Sequence, residues 1–319
     1  MAAIEYTQVI KVGCGIDVHK DIIVATVRSS NNEYETREFG AYTSSLTDLR
    51  DWCIDQKVTH VAMESTGVYW KPVFNVLEDD FEVILVNARH VKNVPGHKTD
   101  KKDSAWLSKL LLSGLLKASF IPPRDIRELR DLVRYKKKII GQLASEKNRI
   151  IKILEDANIK LSSVLTNVDG STGTKVLTDL ISGITDPKLL SKHYHGKMKA
   201  SKLEMIEALN GKLTTHHQFM LKTIKRSMTD KEALIEELNQ QIEVATKAYQ
   251  VDIENLQTIP GVGKESAIGI ISEIGGDMSR FPNQNHLSSW SAMSPGNNES
   301  GGKKKQQEQY TATNTYKVL

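Results

Sequence analysis

Two β-branched runs, QVIKVGCGIDV at residues 8–18 and DIIVATVR at residues 21–28, stand only two residues apart, with His19 and Lys20 between them. Val, Ile and Thr crowd a helix but fit a pleated surface, so each run reads as a strand and the polar break as a tight hairpin. EYETREFG, at residues 33–40, reads as a third strand. Beyond it the pattern alternates: a helix in SSLTDLRDWCIDQ, a strand in VTHVAMES, a helix in GVYWKPVFNVLEDD, a strand in FEVILVN, and a helix that opens at Asp100. Ser44 or Ser45 is expected to cap the first helix. A meander followed by strand-helix alternation predicts a mixed sheet with helices on its faces.

The order β-β-β-α-β-α-β-α is that of the ribonuclease H-like α/β fold. After Pro122 and Pro123 the character of the chain changes. Residues 124–160 run without a breaker, with Ile126, Leu129, Leu132, Val133, Ile140, Leu143, Ile150, Ile153 and Leu154 near helical spacing. This long amphipathic helix carries eleven Lys and Arg against six Asp and Glu, a local excess larger than the net charge of +4 on the whole chain. A second helical stretch is predicted over residues 202–249, with a break near Asn210 and Gly211, and the two stretches are expected to pair as a coiled-coil stalk. In LQTIPGVGKESAIGIISEIGG the Pro260-Gly261-Val262-Gly263 turn should lead into a helix that runs through Ile274, presenting backbone N–H groups of the kind that suit phosphate. The expected division is residues 1–120 as the α/β domain, 121–250 as the helical coiled-coil region, and 251–319 as a small, mostly helical C-terminal domain.

Totals narrow the class. No run of 18 apolar residues occurs, and the first residues lack a basic leader followed by an apolar core, so a cytoplasmic protein with no membrane partner is expected. Cys14 and Cys53 have no ligand-like spacing and read as reduced, structural thiols.

Acidic residues stand where a strand does not favour them. Asp17 ends the first apolar strand and Glu64 ends VTHVAME, although a carboxylate beside a pleated core is costly. Asp100 and Asp103, three residues apart at a helix start, project from one face. An isolated Asp there is ordinarily a dipole partner worth about 0.3–1 kcal/mol. Two acids at matching strand ends change that reading, because the topology brings all four carboxylates together and clustered carboxylates repel unless a divalent cation joins them. Mg²⁺, with Mn²⁺ as an alternative, is the expected ion, and Lys98, Lys101 and Lys102 stand beside it for phosphate. His19, His97, His193, His195, His216 and His217 lack convincing ligand spacing and read as surface residues. Tyr69 and Trp70 read as core or lid.

CGIDVHK with Asp17, AMESTGVYW with Glu64 and KTDKKDSAWLSKLL with Asp100 and Asp103 resemble the DEDD transposases of the insertion-sequence 110 type. LQTIPGVGKESAIGIISEIG and FPNQNHLSSWSAMSPGNNESGGK resemble that family's second domain. The resemblance spans residues 13–305 around a variable helical middle. It implies a RuvC-like first domain, a Mg²⁺ site made by the four acids and a serine nucleophile that joins covalently to DNA. The matching residue is Ser300, with Ser294 a weaker substitute. It also implies a homodimer or homotetramer, and a structured guide RNA that selects the DNA sites.

Lys303, Lys304 and Lys305 flank that serine and would offset phosphate charge. Arg127, Arg130, Arg134, Lys137 and Arg149 on the long helix are expected to contact DNA or RNA phosphates. After Ser300 the family pattern continues through a basic and helical segment, whereas QQEQYTATNTYKVL is less basic, which predicts a truncated C-terminal domain. The leading expectation is a DNA transposase or recombinase. A junction-specific endonuclease without a covalent intermediate, and a noncatalytic nucleic-acid-binding remnant of a transposase, are the alternatives.

Overall fold

The computed structural model describes residues 10–65, 67–87, 103–291, 293, 299–300 and 303–304. The chain divides into two compact units, Met1–Ile121 and Pro122–Leu319.

The first unit is built on a five-stranded mixed sheet. Strand β1 (Val12–Val18) pairs antiparallel with β2 (Ile22–Ser29), which pairs antiparallel with β3 (Tyr34–Gly40). On its other side β1 pairs parallel with β4 (His60–Glu64), and β4 parallel with β5 (Glu82–Val86), giving the order β3-β2-β1-β4-β5. The parallel crossings are made by helices α1 (Thr43–Asp55) and α2 (Trp70–Leu77), as parallel neighbours require.

Alternation along β1 divides its side chains between two faces. Cys14, Ile16 and Val18 pack with Ile23, Ala25 and Val27 of β2, Val61 and Met63 of β4, and Leu46, Leu49, Trp52, Val73 and Leu77 of the two helices. The opposite face is covered by α3 (Asp103–Leu112), whose Leu107 and Leu110 bury against Val86.

One local expectation is corrected. Neither Ser44 nor Ser45 caps α1: the cap residue is Tyr42, without a side-chain bond. The Ser45 hydroxyl instead accepts from the Gly40 N–H at 2.8 Å, tying the helix to the end of β3.

The second unit is helical. Helix α4 (Arg124–Asp156) leads into the short helices α5 (Leu161–Val164), α6 (Ser171–Ile181), α7 (Pro187–Leu190) and α8 (Lys202–Ala208), then α9 (Thr215–Ala245) returns. Ile150 and Leu154 of α4 share a core with Leu221, Ile224 and Met228 of α9 and with the short helices. At the other end Ile126 and Leu129 of α4 meet Ile242 of α9. The two long helices are therefore antiparallel. Ile139 is the buried member of the Ile139-Ile140 pair on α4, while Ile140 is exposed, opposite to the expected register. Helices α10 (Gln250–Gln257) and α11 (Lys264–Ile274) pack on the start of α4. They are joined through Gly261, whose φ of +89° is a backbone state that side chains disfavour. Helix α12 (Gln284–Trp290) and a two-stranded hairpin, β6 (Glu299–Ser300) with β7 (Lys303–Lys304), follow.

Candidate active site

Gly13, Gly15 and Asp17 share one face of β1, and the parallel register brings His60, Ala62 and Glu64 of β4 onto that same face. The glycines let α3 lie directly on the sheet. A methyl group at Gly15 would come under 3.0 Å from the Ser104 carbonyl oxygen and the Ser108 amide nitrogen. One at Gly13 would meet the side chains of Leu111 and Leu112. Helix α3 therefore runs opposite to β1, and its first residue, Asp103, starts toward the strand end that carries Asp17.

Hydroxyls fix this packing in register. The Thr26 hydroxyl on β2, paired with Gly15, is 2.8 Å from the Ser104 hydroxyl and 2.8 Å from that of Thr36. Arg28 Nε donates to the Ser108 hydroxyl at 3.2 Å, and the guanidinium lies 4.4 Å from the centre of the Tyr34 ring. Burial lowers the Arg28 pKa from its ordinary value, opposed by Tyr34. These bonds hold the helix that bears Asp103 against the strand that bears Asp17.

Asp17, Glu64 and Asp103 thus come from β1, β4 and α3, at one end of one sheet face. The Oδ1 atom of Asp103 is buried, and Asp103 stands in the first turn of α3, where a helix dipole favours negative charge. His19 Nε2 lies 3.1 Å from Asp17 Oδ2, so this histidine, read from sequence as a surface residue, is exposed yet touches the acid. The sequence signal was only its place two residues after Asp17. Carboxylate oxygens are the donors that Mg²⁺ takes. Among the described residues, however, no three His, Cys, Asp or Glu side chains are drawn together tightly enough to hold an ion. Asp100 lies outside the described residues, as do Lys98, Lys101, Lys102, Lys305, His97 and Ser294. Ser300, Lys303 and Lys304 are described in backbone only, with Ser300 paired to Lys303 across the hairpin.

The expected phosphate contacts on α4 separate by environment. Arg134 makes two hydrogen bonds to the Glu273 carboxylate, at 2.9 and 2.8 Å. Arg130 lies 3.3 Å from the same carboxylate and donates to the Ser272 and Glu273 carbonyls at 3.0 and 2.7 Å. Both guanidiniums are spent on the C-terminal end of α11. Arg127 donates to the Pro122 carbonyl at 3.1 Å. Lys137 is exposed, and Arg149 is exposed beside Glu146.

Two other histidines, unlike the exposed His19, differ from the expected surface placement. His217 is buried, bonds Asp156 at 2.8 Å and completes the capping box that begins α9, while His193 is half-buried against Asp179. The paired Lys192 and His193 lower the pKa of the Asp179 carboxyl. Trp70 packs on the sheet core, edge-on to Phe74 with ring centres 5.7 Å apart, whereas Tyr69 is exposed.

Family models match two segments of the chain. A transposase model of the DEDD IS110 kind matches residues 14–159, from within β1 to just past α4. A second, described as Transposase IS116/IS110/IS902 family, matches residues 253–316, from α10 through the Pro260 turn and α11 to beyond the hairpin. No curated protein matches the chain. No helix among the described residues is long and apolar enough to cross a membrane. The first model covers the ribonuclease H-like sheet with its strand-end acids and the second covers the segment that contains Ser300, and on these two matches the chain belongs to the IS110-type transposases, enzymes that recombine DNA.

Proposed function

We propose that the chain cuts and rejoins DNA strands through a covalent serine intermediate, with Asp17, Glu64, Asp100 and Asp103 holding Mg²⁺ or Mn²⁺. The observation that carries this reading is the placement of Asp17, Glu64 and Asp103 at one end of one sheet face, under a helix seated on Gly13 and Gly15. A divalent ion bound there would offset phosphate charge and stabilise the oxygens exchanged at phosphorus. The Ser300 hydroxyl oxygen forms the new bond to phosphorus, the bond to the leaving strand's sugar oxygen breaks, and that oxygen takes up a proton. Rejoining reverses these changes with another strand as the attacking group.

In this reading residues 1–120 are the DEDD domain, 121–250 a coiled-coil region and 251–319 the serine-bearing domain. Lys98, Lys101, Lys102, Lys303, Lys304 and Lys305 contact phosphates, as do Arg127, Lys137 and Arg149 of α4. Arg130 and Arg134 serve α11 instead. The family resemblance also supports a guide RNA and a dimer or tetramer in which one subunit's acids meet another's serine.

The test is to incubate the protein with DNA of an element end in Mg²⁺ and resolve it under denaturing conditions. A DNA adduct that disappears in Ser300→Ala, and in Asp17→Ala, is the expected result. Multiple-turnover cutting by Ser300→Ala would replace this reading with hydrolysis by activated water, and a wild type that never cuts would leave a noncatalytic DNA-binding protein.

A further inference from the structure

A cavity of about 200 Å³ opens beside the acid site on the α1 and α2 side of the sheet. Its inner wall is apolar, made by Ile23, Leu46 and Val73, each nearly inaccessible to solvent. Its outer wall carries His19, Lys20 and Tyr69, all exposed. His19 is among the residues that line this cavity, and its Nε2 lies 3.1 Å from Asp17 Oδ2, so one residue borders both cavity and acid.

We infer that this cavity receives an unpaired nucleobase of the DNA strand whose phosphate is held at the acids. The inference rests on the strand-transfer reading above and names a subsite for it. Size, surface and charge agree on the occupant. The volume is below the roughly 300–1,000 Å³ of pockets for drug-sized ligands, and suits a single flat ring system.

Tyr69 keeps 44% of its surface exposed and the adjacent Val68 63%, although both stand just before α2 at the mouth of a cavity whose floor is buried. A base removed from its stack needs such an apolar and aromatic partner, and stacking on an aromatic side chain is sequence-tolerant because every base has a flat face. Lys20 supplies positive charge at the same rim, where the sugar-phosphate chain of the bound strand would pass. An acidic or purely aliphatic ligand would use either the rim or the floor; a nucleotide uses both.

The experiment measures binding by fluorescence anisotropy in Ca²⁺, with two labelled duplexes. One has a central stretch of unpaired thymines and the other has abasic sites in their place. The wild type should bind the abasic duplex about 5- to 150-fold more weakly, the span expected for loss of one stacked base. Tyr69→Ala should bind both duplexes alike, at the weaker level, and Tyr69→Phe should recover the difference. Ala41 also lines the cavity, and Ala41→Leu, which narrows it and leaves the Tyr69 ring in place, should also remove the difference while thermal melting shows the variant folded.

A wild type indifferent to the missing bases overturns the inference. So does a Tyr69→Ala variant that keeps the full abasic penalty, or one that changes only the oligomeric state, which would give the cavity a protein occupant. A wild type that binds neither duplex counts against the DNA strand-transfer reading itself and is distinguishable from these results.

Discussion

An alanine at position 15 would press its methyl group against the Ser104 carbonyl oxygen and the Ser108 amide nitrogen, both backbone atoms that cannot rotate away. Helix α3 would have to lift, and Asp103 would move with it. Overpacking of this kind costs about 1–3 kcal/mol. Gly15→Ala should therefore lower the urea midpoint by that equivalent, and it should also weaken Mn²⁺ binding measured by calorimetry, because the helix-borne acid leaves the strand-borne ones. A pure stability defect would move the first readout alone.

Tyr249 gives a second residue-scale expectation. Burial first, and then its hydrogen bond to Asp125, push its hydroxyl pKa up from 10.0 to about 12. The folded state keeps this proton where the unfolded chain loses it. Its stabilising contribution is complete below pH 10 and fades as pH rises toward 12. Unfolding curves of the wild type and Tyr249→Phe should accordingly converge over that interval, whereas a constant difference would rule out the linkage.

At the scale of elements, the joint between α4 and α11 is held by charge. Glu273 is 3% exposed and accepts from Arg134, with Arg130 beside it and spanning the last carbonyls of α11. Removing one partner from a buried ion pair typically costs 3–5 kcal/mol. Arg134 keeps a third of its side-chain surface, so Glu273→Ala should cost roughly 3 kcal/mol, at the lower end, read as a loss in denaturant midpoint.

This joint also shows what local sequence can and cannot carry. Strand periodicity in residues 8–40, the alternation after them and the acids at strand ends are local patterns, and the sheet order follows from chirality and connection rules. The partner of Arg130 and Arg134 lies about 140 residues away, and nothing in the spacing of α4 distinguishes these arginines from solvated Lys137. Ile139 and Ile140 are equivalent to a hydrophobic count, yet the fold buries the first and exposes the second. Ser45 had cap chemistry, but the nearby Gly40 N–H, freed at the end of β3, took its hydroxyl first. His217 read as a surface residue because a capping box ordinarily has Glu or Gln three places after Thr214, and its second bond, to Asp156, depends on the return of α9 beside α4.

At the scale of the molecule, charge is unevenly distributed: the excess of Lys and Arg over residues 124–160 exceeds the net +4 of the chain. A surface that binds DNA by releasing counterions does so in proportion to the cations that reach phosphates, with log affinity falling by about 0.9 per log salt for each contact on duplex DNA. The structure divides the cations of α4 into two populations with different expected behaviour. Lys137, Lys138 and Arg149 face solvent, while Arg130 and Arg134 are engaged by α11. Titrating affinity between low and physiological salt should thus give a slope about 1.8 units shallower for the double variant Lys137→Gln and Lys138→Gln than for the wild type. Arg134→Gln should lower thermal stability and leave the slope unchanged. The reverse result, an altered slope in Arg134→Gln and none in the lysine pair, would mean that α11 releases Arg134 when DNA arrives, and that the exposed face of α4 points away from the duplex.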